Sequence, residues 1–392
     1  MMFQPELESM PRPELERLQA ARLRERFGVE FEGIAEQPFT TKSDLRDAYP
    51  LGRLRVPLED CVRIHASSGT RGKATIVAYT RNDLALWADC CARAIAAAGG
   101  GPGTIVHIAY GYGLFTGGLG LHYGAERLGC TVVPASSGNT PRQAQLIEDL
   151  RAEILCCTPS YALAIADHVE HPERLRLRAG IFGAEPWTER IRGAVEDALR
   201  LTALDIYGLS EIVGPGVSSE CVDGLAGAHV NEDHFLVEVV DPQTGQARQD
   251  GEVGELVFTT LTKEALPLLR YRTGDLASVT REPCACGRTL ARMSRVIGRT
   301  DDMLIIRGVN VFPSEIERVL LSVPGLEPHY QLVVERPQRL DELTVQVEGE
   351  LDAAPVQERL ERALGLSARV EVVPPGSIPR SEGKALRVID KR

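Results

Sequence analysis

The stretch EILCCTPSYALAIADHVEHPERLRLRAGIFGAEPWTERIRGAVEDALRLTALDIYGLSE, residues 153–211, alternates short apolar runs with helical patterns. The runs Glu153–Thr158, Ala179–Gly183 and Ala203–Tyr207 predict strands that are buried on both faces. Thr158-Pro159 is typical of a helix start, because proline fits the first helical turn. Strands that alternate with helices indicate a mostly parallel sheet covered by helices on both sides.

Outside this stretch the pattern continues toward the N-terminus and changes twice toward the C-terminus. Thr104–Ala109 and Thr131–Pro134 predict two more strands of the same sheet. After Tyr207 strands and turns dominate, which indicates a β-rich continuation of the same unit. From Met303 the order becomes β-α-β-β-α-β, the ferredoxin-like order. We therefore expect an α/β fold with an N-terminal domain over residues 1–300 and a small ferredoxin-like α+β domain over residues 301–392.

Composition excludes several classes of protein. The chain has 392 residues, 43% hydrophobic and 25% charged, which is typical of a globular protein and not of a disordered one. Its net charge of −11 argues against nucleic-acid or anionic-membrane partners. No apolar run reaches the roughly 20 residues of a membrane span, and the charged N-terminus has no signal-peptide pattern. We expect a cytoplasmic protein whose nine cysteines stay reduced.

The first stretch with chemical character is SSGTRGK, residues 67–73. Small residues allow close approach to an anion, hydroxyls and N–H groups can bind phosphate oxygens, and two cations supply charge. An ordinary turn is the alternative, but the two cations favour phosphate. The loop departs from the Walker pattern at Ser67 and at Ala74, which excludes a P-loop NTPase. Its members are Ser67, Ser68, Gly69, Thr70, Arg71, Gly72 and Lys73.

Three further stretches contain polar residues of interest. Glu211 follows a predicted strand at the sheet edge where α/β proteins bind ligands, and a carboxylate there suits Mg²⁺. Asp275 follows a turn and could accept hydrogen bonds from ribose hydroxyls. Lys384 lies in a Gly-Lys segment near the C-terminus. Taken alone, each of these residues is more commonly a solvated loop residue.

Taken in order, with GRTDDMLIIRGVNVFPSEIE (residues 298–317), these stretches resemble the adenylate-forming superfamily, and specifically the phenylacetate–CoA ligase family. The longer runs that carry the resemblance are AYGYGLFTGGLGLHYGAERLGC (109–130), GIFGAEPWTE (180–189), YGLSEIVGPGV (207–217) and ELVFTTLTKEALPLLRYRTGDL (255–276). The resemblance extends from about Pro38 to Arg392.

The resemblance implies an ATP-dependent ligase for an aryl carboxylic acid of the phenylacetate or benzoate type. It implies Mg²⁺, an acyl-adenylate intermediate, and transfer to the thiol of coenzyme A after the small C-terminal domain rotates as a lid. Transfer to the phosphopantetheine thiol of a carrier protein is the closest alternative. A non-catalytic nucleotide-binding protein is a third interpretation, which the presence of Lys384, Glu211 and Asp275 disfavours. A monomer and a homodimer are both compatible with the sequence.

The same resemblance implies roles for individual residues. Residues 67–73 match the phosphate loop, although the family usually has Thr at Arg71, and Glu211 matches the Mg²⁺ ligand. The remaining nucleotide-side matches are Gly183, Ala184, Glu185 and Pro186 on adenine, with Tyr207 and Gly208 beside it, Asp275 on ribose, Arg299 as a nucleotide contact and Lys384 for adenylation. Asp301 matches the hinge and Gly308 the coenzyme A tunnel. The acyl pocket comprises Tyr112, Phe115, Gly183, Ala184 and Pro215, where the alternative for the two aromatics is a purely core role.

Four residues form a candidate metal set. Cys284 and Cys286 lie in a tight turn, and Cys221 and His229 lie upstream near Glu211. Three thiols and one imidazole form a complete tetrahedral zinc set, and no open position or general base indicates a catalytic metal. Buried free thiols are the alternative, and His234 could replace His229. A structural zinc is the favoured interpretation.

Overall fold

We analysed a computed structural model, which describes residues 1–67, 74–300, 304–307, 309–337, 340–380 and 387–392. Several predicted site residues therefore lie outside the described residues. These are Ser68, Gly69, Thr70, Arg71, Gly72, Lys73, Asp301, Gly308 and Lys384.

The helices and strands alternate over most of the chain. The helices are α1 (Pro5–Glu8), α2 (Arg12–Phe27), α3 (Lys42–Asp47), α4 (Arg81–Ala97), α5 (Gly117–Arg127), α6 (Thr140–Asp149), α7 (Pro159–Ala166), α8 (Glu189–Leu199), α9 (Pro313–Leu321) and α10 (Ala353–Leu364). The strands up to residue 230 are β1 (Arg63–Ala66), β2 (Ile76–Tyr79), β3 (Ile105–Ile108), β4 (Thr131–Val133), β5 (Ile154–Cys157), β6 (Ala179–Gly183), β7 (Thr202–Leu209), β8 (Gly214–Cys221) and β9 (Gly224–Val230). The later strands are β10 (Phe235–Val240), β11 (Gly254–Thr260), β12 (Tyr271–Ala277), β13 (Val279–Thr280), β14 (Arg292–Met293), β15 (Gly298–Arg299), β16 (Leu304–Ile306), β17 (Val309–Val311), β18 (Leu326–Glu335), β19 (Glu342–Gly349), β20 (Arg369–Val373) and β21 (Val388–Asp390).

A nine-stranded mixed sheet forms the centre of the larger unit, with the order β13-β14-β9-β8-β7-β6-β5-β3-β4. Strands β3 to β7 pair in parallel, while β8 and β9 continue the sheet antiparallel. A second, antiparallel sheet has the order β10-β11-β12-β15. The α/β class is confirmed, and so are the predicted parallel strands and the β-rich continuation. Among the described helices, none has the length and hydropathy needed to cross a membrane.

The start and the packing of helix α4 follow from its sequence. Thr80 and Asp83, three residues apart at the helix start, form a capping box, with the Asp83 N–H donating to Thr80 Oγ1 at 3.1 Å and the Thr80 N–H to Asp83 Oδ2 at 3.0 Å. The helix buries Trp87 and Cys91 in the main hydrophobic cluster. Helix α4 is thereby fixed beside β8, one wall of the site described below.

The residues after 303 have a hydrophobic cluster drawn from residues 304–370. Their four-stranded sheet has the order β20-β19-β18-β21. The ferredoxin-like description needs one correction, because the predicted first strand, β16, pairs with β17 in a separate hairpin, and β21 pairs with β18 at one edge of the four-stranded sheet. The separate cluster supports our interpretation of a division near residue 300.

Candidate active site

A cleft of about 720 Å³, open to solvent, lies where β6 and β7 end. The carboxyl ends of parallel strands meet at one edge of a sheet, which is where such folds bind ligands. The cleft brings together seven of the predicted nucleotide residues: Ala184, Glu185, Pro186, Tyr207, Gly208, Asp275 and Arg299. Gly183 ends β6 directly before them, and a Cβ there would lie 2.2 Å from the carbonyl oxygen of Ile206. Only glycine fits at that position.

Tyr207, Asp275 and Arg299 form a hydrogen-bonded group in the cleft. The Tyr207 hydroxyl donates to Asp275 Oδ2 at 2.8 Å, and the Arg299 guanidinium donates to Asp275 Oδ1 and, at 3.0 Å, to the carbonyl oxygen of Thr273. Burial and the neighbouring Asp275 carboxylate raise the pKa of Tyr207, so the hydroxyl stays protonated. The group presents a buried carboxylate toward a cleft bordered by an aromatic ring.

Glu211 lies in the turn that follows β7, and its side chain is buried. The Lys42 ammonium is 3.3 Å from Glu211 Oε1. Nevertheless, no donor among the described residues makes a hydrogen bond of acceptable geometry to that oxygen. A buried carboxylate oxygen without a hydrogen bond can bind a hard cation, so the residue fits a Mg²⁺ site.

Two lysines beside Glu211 were missed by sequence reasoning. Lys42 forms the contact described above, and Lys263 donates from Nζ to the main-chain carbonyl oxygen of Glu211 at 2.8 Å. Lys263 is almost wholly buried, and this burial lowers its pKa to about 8 despite the nearby Asp83 and Glu211 carboxylates. Its sequence signal is a lone lysine within the mostly apolar run of residues 255–270.

Asp205 is a third residue missed by sequence reasoning, and it lines the same cleft. It shares a strand face with Tyr207, because side chains two apart in a strand point the same way. Burial and the Glu220 carboxylate raise the pKa of Asp205 to about 7. The alternation in β7 was available as a signal for this position.

Of the predicted acyl-pocket residues, Tyr112 and Phe115 lie in the loop before α5, and Pro215 lies in β8, while Gly183 and Ala184 belong to the cleft region described above. Tyr112 is half-buried, with its hydroxyl 3.2 Å from His122 Nδ1, and His122 Nε2 lies 3.2 Å from Glu126. Phe115 is more exposed, in the same loop. The Trp87 indole donates to the Pro215 carbonyl oxygen at 2.9 Å. A Cβ at Gly120 of α5 would lie 2.5 Å from the same indole, so the Trp87 side chain contacts both β8 and α5.

Of the predicted phosphate loop, only Ser67 is described. Its Oγ accepts from the Thr75 N–H at 3.1 Å, and its own N–H donates to the Thr75 carbonyl oxygen at 2.9 Å. These bonds set where the loop leaves and rejoins the β1–β2 hairpin.

The four predicted metal ligands converge at the β8–β9 hairpin. The donor atoms of Cys221, His229, Cys284 and Cys286 all lie within 4.8 Å of one another. Cys221 Sγ is 3.6 Å from His229 Nε2 and 3.8 Å from Cys284 Sγ, and Cys286 Sγ is 3.4 Å from His229 Nε2. His234 is not a member, because its ring contacts Thr262 and Asp233.

The thiols of this cysteine cluster (Cys221, His229, Cys284 and Cys286) differ in acidity. Burial, together with the neighbouring thiols, raises the pKa of Cys221 to about 12. Burial acts in the same direction on Cys286, but hydrogen bonds from His229 and Arg288 outweigh it and lower its pKa to about 5. A Cβ at Gly224 would lie 2.7 Å from Cys284 Sγ, so the hairpin turn needs a glycine beside the cluster.

Comparisons with known proteins agree with this geometry. Residues 12–261 match the family model for AMP-binding enzymes, and residues 308–392 match the model for the AMP-binding enzyme C-terminal domain. The chain is 51% identical to a phenylacetate-coenzyme A ligase of Thermus thermophilus, with all of both chains aligned. It is 52% identical to that of Escherichia coli, over 93% of this chain and 86% of the relative.

A solved structure of 2-hydroxyisobutyryl-CoA ligase in the postadenylation state covers 99% of this chain and 92% of its own, at 28% identity and a TM-score of 0.87. The same enzyme in the thioesterification state, with coenzyme A, covers 98% and 91% at 29% identity and a TM-score of 0.70. Family models, full-length relatives and fold therefore agree: the chain belongs to the phenylacetate–coenzyme A ligase family of AMP-binding enzymes.

Proposed function

We propose that this protein is an ATP-dependent aryl-acid–coenzyme A ligase acting on a phenylacetate- or benzoate-type acid. The observation that carries the proposal is the group formed by Tyr207, Asp275 and Arg299 in a cleft that also holds the segment Ala184–Pro186. The names of the full-length relatives, at about half identity, supply the acid and the thiol.

In the first step, a carboxylate oxygen of the acid attacks the α-phosphorus of ATP, and pyrophosphate leaves. We infer that Asp275 accepts hydrogen bonds from ribose hydroxyls, with Arg299 and Tyr207 holding its carboxylate in place. Glu211 would hold Mg²⁺, which when bound neutralises phosphate charge. Residues 67–73 and Lys384 would supply the remaining positive charge, as the family resemblance implies.

In the second step, the thiol sulfur attacks the carbonyl carbon of the adenylate, and AMP leaves. The thiol can reach the adenylate only after the C-terminal lid has moved. We infer that Asp301 is the hinge of this movement and that Gly308 lies near the thiol tunnel. The higher similarity to the postadenylation state than to the thioesterification state of one and the same enzyme supports assigning the present arrangement to the adenylation side of the cycle.

We further propose that the cysteine cluster holds a structural zinc ion. Tetrahedral Zn²⁺ with ordinary bond lengths requires S···S separations of about 3.8 Å and S···N separations of about 3.6 Å. The three separations measured in the cluster lie within 0.2 Å of those values. A bound zinc would join the β8–β9 hairpin to the loop at Cys284–Cys286. The nine cysteines are all unpaired, which suits a cytoplasmic enzyme.

The decisive experiment measures pyrophosphate release with ATP and Mg²⁺ across a panel of aryl acids, with and without coenzyme A. We expect one acid to give fast turnover and a thioester only when coenzyme A is present. If pyrophosphate were released but coenzyme A never accelerated the release, we would conclude that the enzyme loads a carrier protein. The absence of release with every acid would overturn the proposal.

Lys384→Ala tests the division into two half-reactions. We expect adenylate formation to fall by about a thousandfold, because a cation at the α-phosphate is lost. Thioester formation from supplied acyl adenylate should persist, since the lid has by then turned that lysine away. Lys391→Ala, an exposed lysine paired with Glu335, is the matched control. Equal loss of both half-reactions would contradict the assignment.

A further inference from the structure

Arg190 joins the larger unit to the C-terminal unit. It lies in the first turn of α8, and its Nη1 donates to the carbonyl oxygens of Leu321 at 2.8 Å and Val323 at 3.2 Å. Its Nη2 donates to the carbonyl oxygen of Leu326. One guanidinium of the larger unit thus binds three carbonyl groups at and just beyond the end of α9.

The end of a helix is a favourable partner for such a group. The last carbonyls of a helix lack intrahelical partners and carry the negative end of its dipole. A guanidinium offers several donors in a fixed plane, which suits several acceptors at once. The Arg190 contact therefore depends on where α9 lies, because a rotation of the C-terminal unit would move all three acceptors together.

An apolar contact accompanies these hydrogen bonds. Leu321, the last residue of α9, is 9% exposed and belongs to a hydrophobic cluster whose other members come from residues 109–203. Trp187 and Ile191, which flank Arg190, are in that cluster. The side chain of Leu321 thus packs in the hydrophobic cluster of the larger unit to which the neighbours of Arg190 also belong.

We propose that Arg190 and Leu321 form a latch that holds the C-terminal lid in the arrangement used for adenylation and releases it before thiol transfer. The inference rests on the proposed function, in which the present arrangement belongs to the adenylation side. Arg190 does not line the nucleotide cleft, so its role is positioning. The latch lies at the start of α8, and it adds a second constraint to the proposed hinge at Asp301.

The test separates the two half-reactions in Arg190→Ala, Arg190→Lys and a control, Arg318→Ala. Arg318 is an exposed arginine of α9 whose closest ionic partner is Glu315 on the same helix, so its loss leaves the junction intact. For Arg190→Ala we expect acid-dependent pyrophosphate exchange to fall about tenfold, the loss expected for one net hydrogen bond of about 1.4 kcal/mol. Conversion of supplied acyl adenylate to thioester should stay at the wild-type rate or rise.

The pyrophosphate-exchange rate of Arg190→Lys should lie between those of the wild type and Arg190→Ala, because an ammonium can reach fewer of the three carbonyls. An equal fall in both half-reactions, or no change in either, would overturn the latch.

Small-angle scattering of the wild type and of Arg190→Ala without substrates gives a readout that needs no turnover. We expect the Arg190→Ala profile to shift toward a larger radius of gyration. If the wild type is inactive but the profile shifts, the proposed function fails and the latch stands. Identical profiles would contradict the latch.

Discussion

In the nucleotide cleft the polar side chains bind one another, whereas in the cysteine cluster four donor atoms converge on one point. The Asp275 carboxylate receives hydrogen bonds from Tyr207 and Arg299, so its charge is paired within the protein. In the cluster, the contacts run between potential metal ligands, and His229 Nδ1 has no hydrogen-bond partner among the described residues.

The difference agrees with our proposal that the cleft binds an exchangeable ligand and the cysteine cluster a resident one. A site that repeatedly binds and releases a nucleotide benefits from groups that stay satisfied between turnovers, because buried unpaired charges are costly. A site for a permanent metal has no such need, since the ligands are always occupied and the binding energy contributes to folding. Stability and substrate affinity should therefore respond separately to changes in the two regions.

Of the two regions compared, the cysteine cluster is expected to show the larger effect. Cys284→Ser should abolish stoichiometric zinc and lower the free energy of unfolding by on the order of 3 kcal/mol, because a cross-link between hairpin and loop is lost. The KM for ATP should stay unchanged. Metal analysis and thermal unfolding, with Cys61→Ser as a control thiol outside the cluster, measure this. If the wild-type protein contained no zinc and were fully stable, the cysteine cluster would not be a site for a resident metal.

Next in size is Asp275→Ala, which tests the exchangeable side. The variant loses the proposed ribose acceptor and leaves Arg299 and Tyr207 without their shared partner, so we expect kcat/KM for ATP to fall about a hundredfold, or roughly 2.7 kcal/mol. The zinc content should not change. Steady-state kinetics across ATP concentrations measure it, and Asp250→Ala, an exposed aspartate paired with Arg281, is the control. If Asp275→Ala left the KM for ATP unchanged but strongly lowered the free energy of unfolding, Asp275 would have a structural role and not a nucleotide-binding one.

Lys263 gives a pH test of a buried charge on the nucleotide side. Its pKa in the folded protein is about 8, below the ordinary lysine value of 10.5, so between these two pH values the unfolded chain binds more protons than the folded one. Stability contributed by this group must therefore rise as the pH increases from 8 to 10.5. Measured as wild type minus Lys263→Met, the difference in unfolding free energy should increase by about 2 kcal/mol over that window. Other groups titrate equally in both proteins and cancel. A flat difference would show that Lys263 is not buried as a cation.

Sequence reasoning succeeded where local chemistry and chain order determine the outcome. The capping box at Thr80 and the parallel strands β3 to β7 follow from residues close together in the chain. The convergence of the four candidate metal ligands could be anticipated because thiols and imidazoles have few other common roles in such a turn. The pairing of β21 with β18 was not predictable, because it joins segments more than 50 residues apart.

The missed residues share a physical reason. Lys42 and Lys263 reach Glu211 from distant points of the chain, and a lysine in a sequence is by default a solvated surface residue. Asp205 was accessible in principle, because the alternation of β7 places it on the face of Tyr207. Arg190 depends on where α9 lies relative to α8, which no local pattern encodes.

The smallest expected effect concerns the acid side of the exchangeable region. The Tyr112 hydroxyl lies against His122, which in turn contacts Glu126, so the ring of Tyr112 is held by a polar chain on α5. Tyr112→Phe keeps the ring but removes this hold, and we expect the KM for the aryl acid to rise about fivefold, or roughly 1 kcal/mol, with the KM for ATP unchanged. Tyr123→Phe, on the exposed side of the same helix, should have no effect. Titration of the acid at saturating ATP measures this. If Tyr112→Phe changed the KM for ATP instead, Tyr112 would belong to the nucleotide side, and the acid would have to bind elsewhere along the cleft.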